Sequence, residues 1–281
     1  MFSSTCGAIE HSSKWLFSEK GYYLKNSKFK MPPALEPTLG KNGLAIYCFH
    51  GTADFPASFQ QFGVDLMVEG LPEIISEIRI ISFSNRFTGS SIEDQAIDLI
   101  EQIVANGDTH VVLAGHSRGG LDAQRIDKLS AEYGIKVHLV LNISTPYQGS
   151  YLALWPLTTF SKSVGEMAIS TKYLKTAAEE VLSSKAEYHF FVAPWDWIVE
   201  PKKCYVREYV QKHPDSLTML DDESHLSIMG SKRLVSVSHG LIVKKAKSLI
   251  AEALAANLNS KKDSKPEDEL MDIELESMSC S

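Results

Sequence analysis

From residue 43 onward, short runs of β-branched and aliphatic residues alternate with longer segments in which apolar residues recur every three or four positions. A strand buried on both faces is apolar throughout, whereas a helix lying on a sheet is apolar along one face only. The alternation therefore predicts an α/β fold, with a mostly parallel central sheet and helices on both of its faces. The predicted strands cover 43–49, 77–83, 109–115, 135–144, 187–193 and 215–220, and the predicted helices cover 57–69, 91–106, 118–133 and 239–258.

Composition narrows the classes of function. The chain has 281 residues, of which 44% are hydrophobic, so one core can be buried without a disulfide or metal. The formal net charge of −7 is the wrong sign for general attraction to nucleic acid, and we expect no nucleic-acid partner. Four scattered cysteines without a CxxC pair or a histidine cluster predict free thiols and no metal site.

The segment Gly115-His116-Ser117-Arg118-Gly119-Gly120 stands between a predicted strand and a predicted helix. A serine on such a sharp turn needs small neighbours, because the flanking backbone segments approach closely. The turn exposes the serine hydroxyl, and the helix that follows presents free main-chain N–H groups beside it. The pattern predicts a nucleophile elbow with Ser117 as the nucleophile.

With this motif, residues 43–258 resemble the α/β-hydrolase superfamily, in particular its lipase and esterase branch. Phe49-His50-Gly51-Thr52 is similar to the segment that supplies one oxyanion N–H in this family, and Ser144-Thr145-Pro146-Tyr147-Gln148-Gly149-Ser150 is similar to a loop of many lipases. The resemblance implies Thr52 and Arg118 as the oxyanion-hole residues, with Tyr147 shaping the pocket where the family often has histidine. It implies no metal and no organic cofactor.

The same resemblance places a triad acid and base after the serine, in the order Ser, Asp or Glu, His. No Asp or Glu occurs from Tyr133 to Gly165, so the acid is expected after the strand at 187–193. Asp196 is the preferred acid, in a segment similar to a D-x-x-V-P turn of lipases, and Glu200 is the second choice. His225, in a polar loop after the strand at 215–220, is the preferred base, and His239 is the competitor.

These roles imply an ester hydrolase that works through an acyl-enzyme. An acyltransferase, a thioesterase, a peptidase or amidase, and a hydrolase-fold binding or effector protein without catalysis remain alternatives. Residues 150–186 are predicted to be a cap or lid insertion after the sixth core strand. Their apolar density, together with Trp155 and Trp197 near the mouth of the site, favours an acyl ester or lipid substrate, although ordinary core packing would explain it equally well.

The two ends differ from the middle. Residues 1–42 are predicted to be an N-terminal arm, more in keeping with an edge strand or a wrapping arm than with contact to an anionic membrane surface, although the arm and the lid both suit such contact. Residues 259–281 are predicted to be a disordered acidic tail. No Sec signal or membrane span is visible, which favours the cytoplasm. A translocated bacterial effector is the alternative, because the acidic tail resembles a type IV secretion signal. The sequence leaves the oligomeric state open.

Overall fold

A computed structural model describes residues 21–52, 54–83, 90–151, 153 and 161–263, with side chains described as far as residue 258. Its strands are β1 (Tyr22–Lys25), β2 (Leu44–Phe49), β3 (Ile75–Ile81), β4 (His110–His116), β5 (Lys136–Ile143), β6 (Glu187–Val192) and β7 (Leu217–Met219). Its α-helices are α1 (Glu36–Leu39), α2 (Gln60–Glu69), α3 (Ile92–Ala105), α4 (Arg118–Ser130), α5 (Lys162–Glu166), α6 (Lys172–Ser183), α7 (Arg207–Lys212) and α8 (Lys232–Asp263).

The seven strands form one sheet in the order β1-β3-β2-β4-β5-β6-β7. Every neighbouring pair is parallel except β1 and β3, which are antiparallel. The prediction of a mostly parallel sheet is confirmed. Within the predicted N-terminal arm, β1 is an edge strand, which is one of the two forms that the sequence analysis favoured.

Both faces of the sheet are buried. Side chains at alternate positions of a strand lie on opposite faces, and they pack in two different hydrophobic cores. In β2, Ile46 and Cys48 belong to the core that includes Phe62 of α2 and Ile242 of α8. The alternate positions Ala45, Tyr47 and Phe49 belong to the core that α3, α4 and α6 cover, with Leu99, Ile126 and Leu174 among its members. All six residues of β2 are buried, as expected for a central strand covered on both faces.

Helix α3 illustrates how local sequence sets an element boundary. Ser91 is the N-cap: its hydroxyl accepts a hydrogen bond from the Asp94 amide, and the Asp94 carboxylate accepts one from the Ser91 amide. This reciprocal pair satisfies two amides that the helix leaves free. The predicted apolar face is buried as expected, and it consists of Ile92, Ala96, Leu99, Ile100 and Ile103.

The last helix is longer than predicted at both ends. It begins at Lys232 rather than 239 and continues to Asp263, so residues 259–263 are helical and do not belong to a disordered tail. The early start follows from packing, because Leu234, Val235 and Ile242 are buried against the sheet. The late end follows from composition, because the last turns are rich in alanine, leucine and lysine and contain neither glycine nor proline.

The predicted cap segment 150–186 follows β5, the fifth strand of the described chain, rather than the sixth. Its described helices pack against α3 and α4. Gln124 and Arg125 of α4 both donate hydrogen bonds to Glu180 of α6, and Glu166 of α5 accepts the main-chain N–H of Ile92. Leu152 and residues 154–160, including Trp155, lie outside the described residues, so a lid at these positions stays a prediction.

Residues 1–20 and 264–281 likewise lie outside the described residues, and most of the predicted acidic tail is among them. Within the described ranges, no helix is both long and apolar enough to cross a membrane.

Candidate active site

Four predicted site residues follow the carboxyl ends of parallel strands: Thr52 follows β2, Ser117 follows β4, Asp196 follows β6 and His225 follows β7. The carboxyl ends of parallel strands meet at one edge of a sheet, where open α/β folds bind their ligands. The topology therefore brings together loops from four distant parts of the sequence.

Ser117 occupies a strained backbone conformation, with φ 55° and ψ −124°. A positive φ at a residue that carries a Cβ costs of order 1–3 kcal/mol and persists only where its surroundings hold it. Here the Ser117 amide donates a hydrogen bond to the Ile143 carbonyl of the neighbouring strand at 2.8 Å. Ser117 is only partly buried, whereas the residues on either side of it are buried.

The neighbouring glycines explain why the elbow needs its motif. A Cβ on Gly115 would lie 2.2 Å from the Gly119 carbonyl oxygen, and a Cβ on Gly119 would lie 2.1 Å from that of Phe49. A Cβ on Gly120 would lie 1.8 Å from Oγ1 of Thr145, in the predicted Ser-Thr-Pro loop. Because all three positions are filled by other atoms, β4, the turn and α4 pack this closely only with glycine there.

The predicted oxyanion loop lies beside Ser117. A Cβ on Gly51 would be 3.1 Å from the Cβ of Ser117, so the two main-chain segments are in contact. His50 is part of this loop, and its Nδ1 lies 3.0 Å from the Gly51 carbonyl oxygen. The His50 ring packs edge-on against Phe83, with 4.5 Å between the ring centroids. Thr52 is exposed, and its role as an N–H donor stays a prediction.

Asp196 and His225 form a direct, buried pair. Oδ2 of Asp196 lies 2.6 Å from Nδ1 of His225, and the two residues are 6% and 4% exposed. The other carboxylate oxygen accepts the main-chain N–H groups of Ile198 and Val199 at 2.9 and 2.8 Å. A carboxylate held in this way fixes the imidazole with its Nδ1 proton toward Asp196 and leaves Nε2 for another partner.

Trp195 further joins the loop that carries Asp196 to the loop that carries His225. Its main-chain N–H donates to the Glu223 carbonyl at 3.2 Å, and its indole N–H donates to the Asp221 carbonyl at 3.0 Å. Trp195 and Trp197 are each 70% exposed and flank Asp196. They place apolar surface beside the site.

Two further predicted residues, Tyr147 and Glu200, have interaction partners of their own. Tyr147 is 2% exposed, its hydroxyl donates to Asn142 at 3.1 Å, and its ring packs on Phe190. This place in the core argues against the predicted contact with substrate, since the side chain fills the space beneath the loop. Glu200 is paired with Lys203 and with the hydroxyl of Tyr151.

His239 is neither at the head of a helix nor at the site. It lies inside α8, where its Nε2 donates to the Gly70 carbonyl at 2.9 Å. The predicted start of this helix at 239 is therefore seven residues later than its observed start at Lys232.

The side chain of Arg118 is buried under the elbow, 1% exposed, with Nε 3.6 Å from Oδ2 of the fully buried Asp122. Its guanidinium lies over the ring of Phe83 at 5.1 Å. Burial lowers the pKa of Arg118, and burial raises the pKa of Asp122 to about 7 although Arg118 acts in the opposite direction. The sequence analysis considered only the Arg118 amide, and it did not predict this buried charged pair next to Ser117.

No group of three histidine, cysteine or carboxylate side chains that could hold a metal ion occurs in the part of the chain that the structure describes. Cys48 and Cys204 are buried free thiols.

No protein-family model and no curated protein matches the chain. Solved structures do. A lipase of Bacillus licheniformis in its mature form is 16% identical, with a TM-score of 0.54 over 79% of this chain and 98% of the lipase. An α/β-hydrolase from the metagenome of sediments of the Mar Chica lagoon is 18% identical, with a TM-score of 0.53 over 80% of this chain and 95% of that enzyme.

A monoacylglycerol lipase of Paleococcus ferrophilus is 16% identical, with a TM-score of 0.52 over 82% of this chain and 99% of the lipase. Similarity at this level of identity establishes the fold. The chain has the α/β-hydrolase fold, and that prediction is confirmed.

Proposed function

We propose that this protein is a serine hydrolase that cleaves carboxylic esters through an acyl-enzyme, with Ser117 as nucleophile, His225 as base and Asp196 as the acid that orients the base. The observation that carries the proposal is the buried contact of 2.6 Å between Asp196 and His225, at the sheet edge where the strained Ser117 turn lies.

In this reaction Ser117 Oγ attacks the carbonyl carbon of the ester while Nε2 of His225 removes its proton. Asp196 remains ionised and stabilises the imidazolium that forms. The imidazolium then protonates the leaving alcohol, and a water molecule activated by His225 releases the acid from the acyl-enzyme. Each step uses groups that stand at one edge of the sheet.

The negative charge of the tetrahedral intermediate falls on the former carbonyl oxygen. The main-chain N–H groups of Thr52 and Arg118 are the donors that we assign to it, and removal of one such donor typically costs about 3 kcal/mol of transition-state stabilisation. The N-terminus of α4 directly follows Ser117 and adds a positive dipole end there.

The substrate class is an ester with a lipid-like or medium-length acyl chain. Trp197 and its neighbour Trp195 present exposed aromatic surface beside Asp196, which suits an apolar chain at the mouth of the site. The similar solved structures include lipases and a monoacylglycerol lipase. Trp155 is a further candidate for the acyl-chain wall.

The test is hydrolysis of p-nitrophenyl esters of graded chain length by the wild type and by Ser117→Ala, together with labelling by a fluorophosphonate probe. We expect turnover and labelling in the wild type, with both lost in the variant and with the circular dichroism spectrum unchanged. Equal turnover in Ser117→Ala would reject the nucleophile. A wild type that neither turns over ester nor accepts the probe would reject the hydrolase.

A further inference from the structure

His116 directly precedes the nucleophile, is 2% exposed and has no chemical role in the proposed reaction. It is the last residue of β4, so its main chain is held in the middle of the sheet. A buried histidine needs partners for its ring nitrogens, and those partners reveal what the side chain does.

The first contact joins His116 to the base loop. Its Nε2 lies 2.8 Å from the main-chain carbonyl oxygen of His225, 109 residues further along the chain. A carbonyl oxygen can only accept, so Nε2 carries the proton and donates it. The two imidazole rings also pack together, with centroids 4.8 Å apart and an angle of 44° between their planes.

The second contact joins His116 to the oxyanion loop. Its Nδ1 lies 3.8 Å from Oδ2 of Asp54, which is 6% exposed. Asp54 belongs to this loop, because its amide donates to the Gly51 carbonyl at 3.4 Å and its other carboxylate oxygen accepts the Phe55 amide at 2.7 Å. His116 therefore stands between the two loops that the proposed reaction needs on either side of Ser117.

We propose that His116 is a positioning residue that holds the base loop, and with it the imidazole of His225, at the right distance from Ser117. This inference rests on the proposed function. Asp196 fixes only the Nδ1 side of the His225 ring, and the ring still moves with its own main chain. The hydrogen bond from His116 fixes that main chain to β4, the strand that carries the nucleophile.

The consequence is a specific kinetic effect. A displacement of about 1 Å between reacting groups costs up to about 100-fold in rate. Loss of the His116 contact should therefore lower kcat while substrate binding stays intact. A role limited to packing would instead lower stability and leave kcat of the folded protein unchanged.

The experiment compares His116→Gln with His116→Leu. Glutamine keeps an N–H donor that can reach the His225 carbonyl, whereas leucine fills similar space without a donor. We expect kcat of His116→Leu to fall about 10- to 100-fold with KM within about twofold of the wild type. We expect His116→Gln to recover most of that loss.

The matched control is His189→Leu. His189 is also buried, at 4% exposure, with one side-chain hydrogen bond, from Nε2 to Thr218 Oγ1 at 2.8 Å, but it lies within β6 away from the site. Its loss should lower the melting temperature without a comparable effect on kcat. The inference is overturned if His116→Leu keeps the kcat of the wild type, or if His116→Gln and His116→Leu lose activity equally.

A second measurement separates this inference from the proposed function. The proton on Nδ1 of His225 that bonds Asp196 should give a downfield NMR resonance whether or not the protein turns over esters. We expect this resonance to persist in His116→Gln and to broaden or shift in His116→Leu. An unchanged resonance in His116→Leu would overturn the positioning role, even if no ester is ever hydrolysed.

Discussion

Asp196 accepts two main-chain N–H groups on one carboxylate oxygen and pairs with His225 through the other. These contacts hold the carboxylate in a single orientation. A side chain of the same shape but different hydrogen-bonding capacity would therefore not replace it. An amide in its place would donate where a carboxylate accepts, and would favour the wrong tautomer of His225.

We therefore predict that Asp196→Asn lowers kcat about 10⁴-fold, by analogy with other triads, while KM changes little. Initial rates on a p-nitrophenyl ester measure the effect. Glu200→Gln is the matched control, because Glu200 was the competing acid and lies in the same loop, where it pairs with Lys203. A large loss in Glu200→Gln with little loss in Asp196→Asn would reverse the assignment of the acid.

Asp122 gives a prediction on stability at the same scale. Its pKa in the folded protein is raised by burial to about 7, above its ordinary value of 3.8. Between these values the folded state binds more protons than the unfolded state, so the free energy of unfolding falls as pH rises from about 4 to about 7. We expect Asp122→Asn to flatten this dependence.

Urea unfolding of the wild type and of Asp122→Asn gives the free energy of unfolding of each protein at several pH values. A range from about 4.5 to about 8 covers most of the titration and yields the slope of this free energy against pH. Asp98→Asn serves as the control, because Asp98 is exposed on α3 and its loss should leave the slope unchanged. An identical pH dependence in the wild type and Asp122→Asn would show that Asp122 does not titrate in this range.

At the scale of elements, the junction between β4 and α4 depends on a short glycine-rich motif. The passage from β4 to α4 requires glycine where other residues would place a Cβ inside neighbouring backbone. The motif was readable from the sequence because it is local. The atoms that demand it, such as the Phe49 carbonyl against Gly119, come from another strand.

We predict that Gly119→Ala destabilises the fold by at least about 3 kcal/mol, because the new Cβ would overlap main-chain atoms that cannot move aside. Gly240→Ala is the matched control. Gly240 lies within α8 and a Cβ there would meet nothing within 4 Å, so alanine should raise stability by about 0.5–1 kcal/mol through helix propensity. Urea unfolding measures both, and a Gly119→Ala variant as stable as the wild type would contradict the packing argument.

The molecule as a whole depends on which strand forms the edge of its sheet. Strand β1 covers β3 with four antiparallel residue pairs, and Asn26 adds side-chain hydrogen bonds to the carbonyls of Pro72 and Ile75. Strand β1 is a short edge of four residues. Without it, the seven-residue β3 would become the edge and present a longer row of unpaired main-chain groups to other molecules.

A chain that begins at residue 31 should therefore aggregate and melt at a lower temperature than a chain that begins at residue 21, which keeps β1. Light scattering and thermal unfolding of the two truncated chains make the comparison. A monomeric chain from residue 31 with an unchanged melting temperature would show that β1 does not protect the edge.

Much of this architecture was predictable from the sequence, because period, capping and turn chemistry are local. Alternating apolar runs indicated the parallel sheet, and the glycines around Ser117 indicated the elbow. The absence of any carboxylate from Tyr133 to Gly165 even narrowed the choice of the acid. The early start of α8 was missed, because the contacts that bury Leu234 and Val235 come from distant parts of the chain.

The amino-acid sequence by itself determined the class of fold and the identity of the candidate nucleophile, since both follow from neighbours in the chain. Only the tertiary structure decided that Asp196 meets His225, that Tyr147 belongs to the core, and that His116 reaches a carbonyl 109 residues away. The physical reason is that contacts between distant residues depend on the order in which strands pair. A parallel sheet brings the carboxyl ends of its strands together however far apart they lie along the chain.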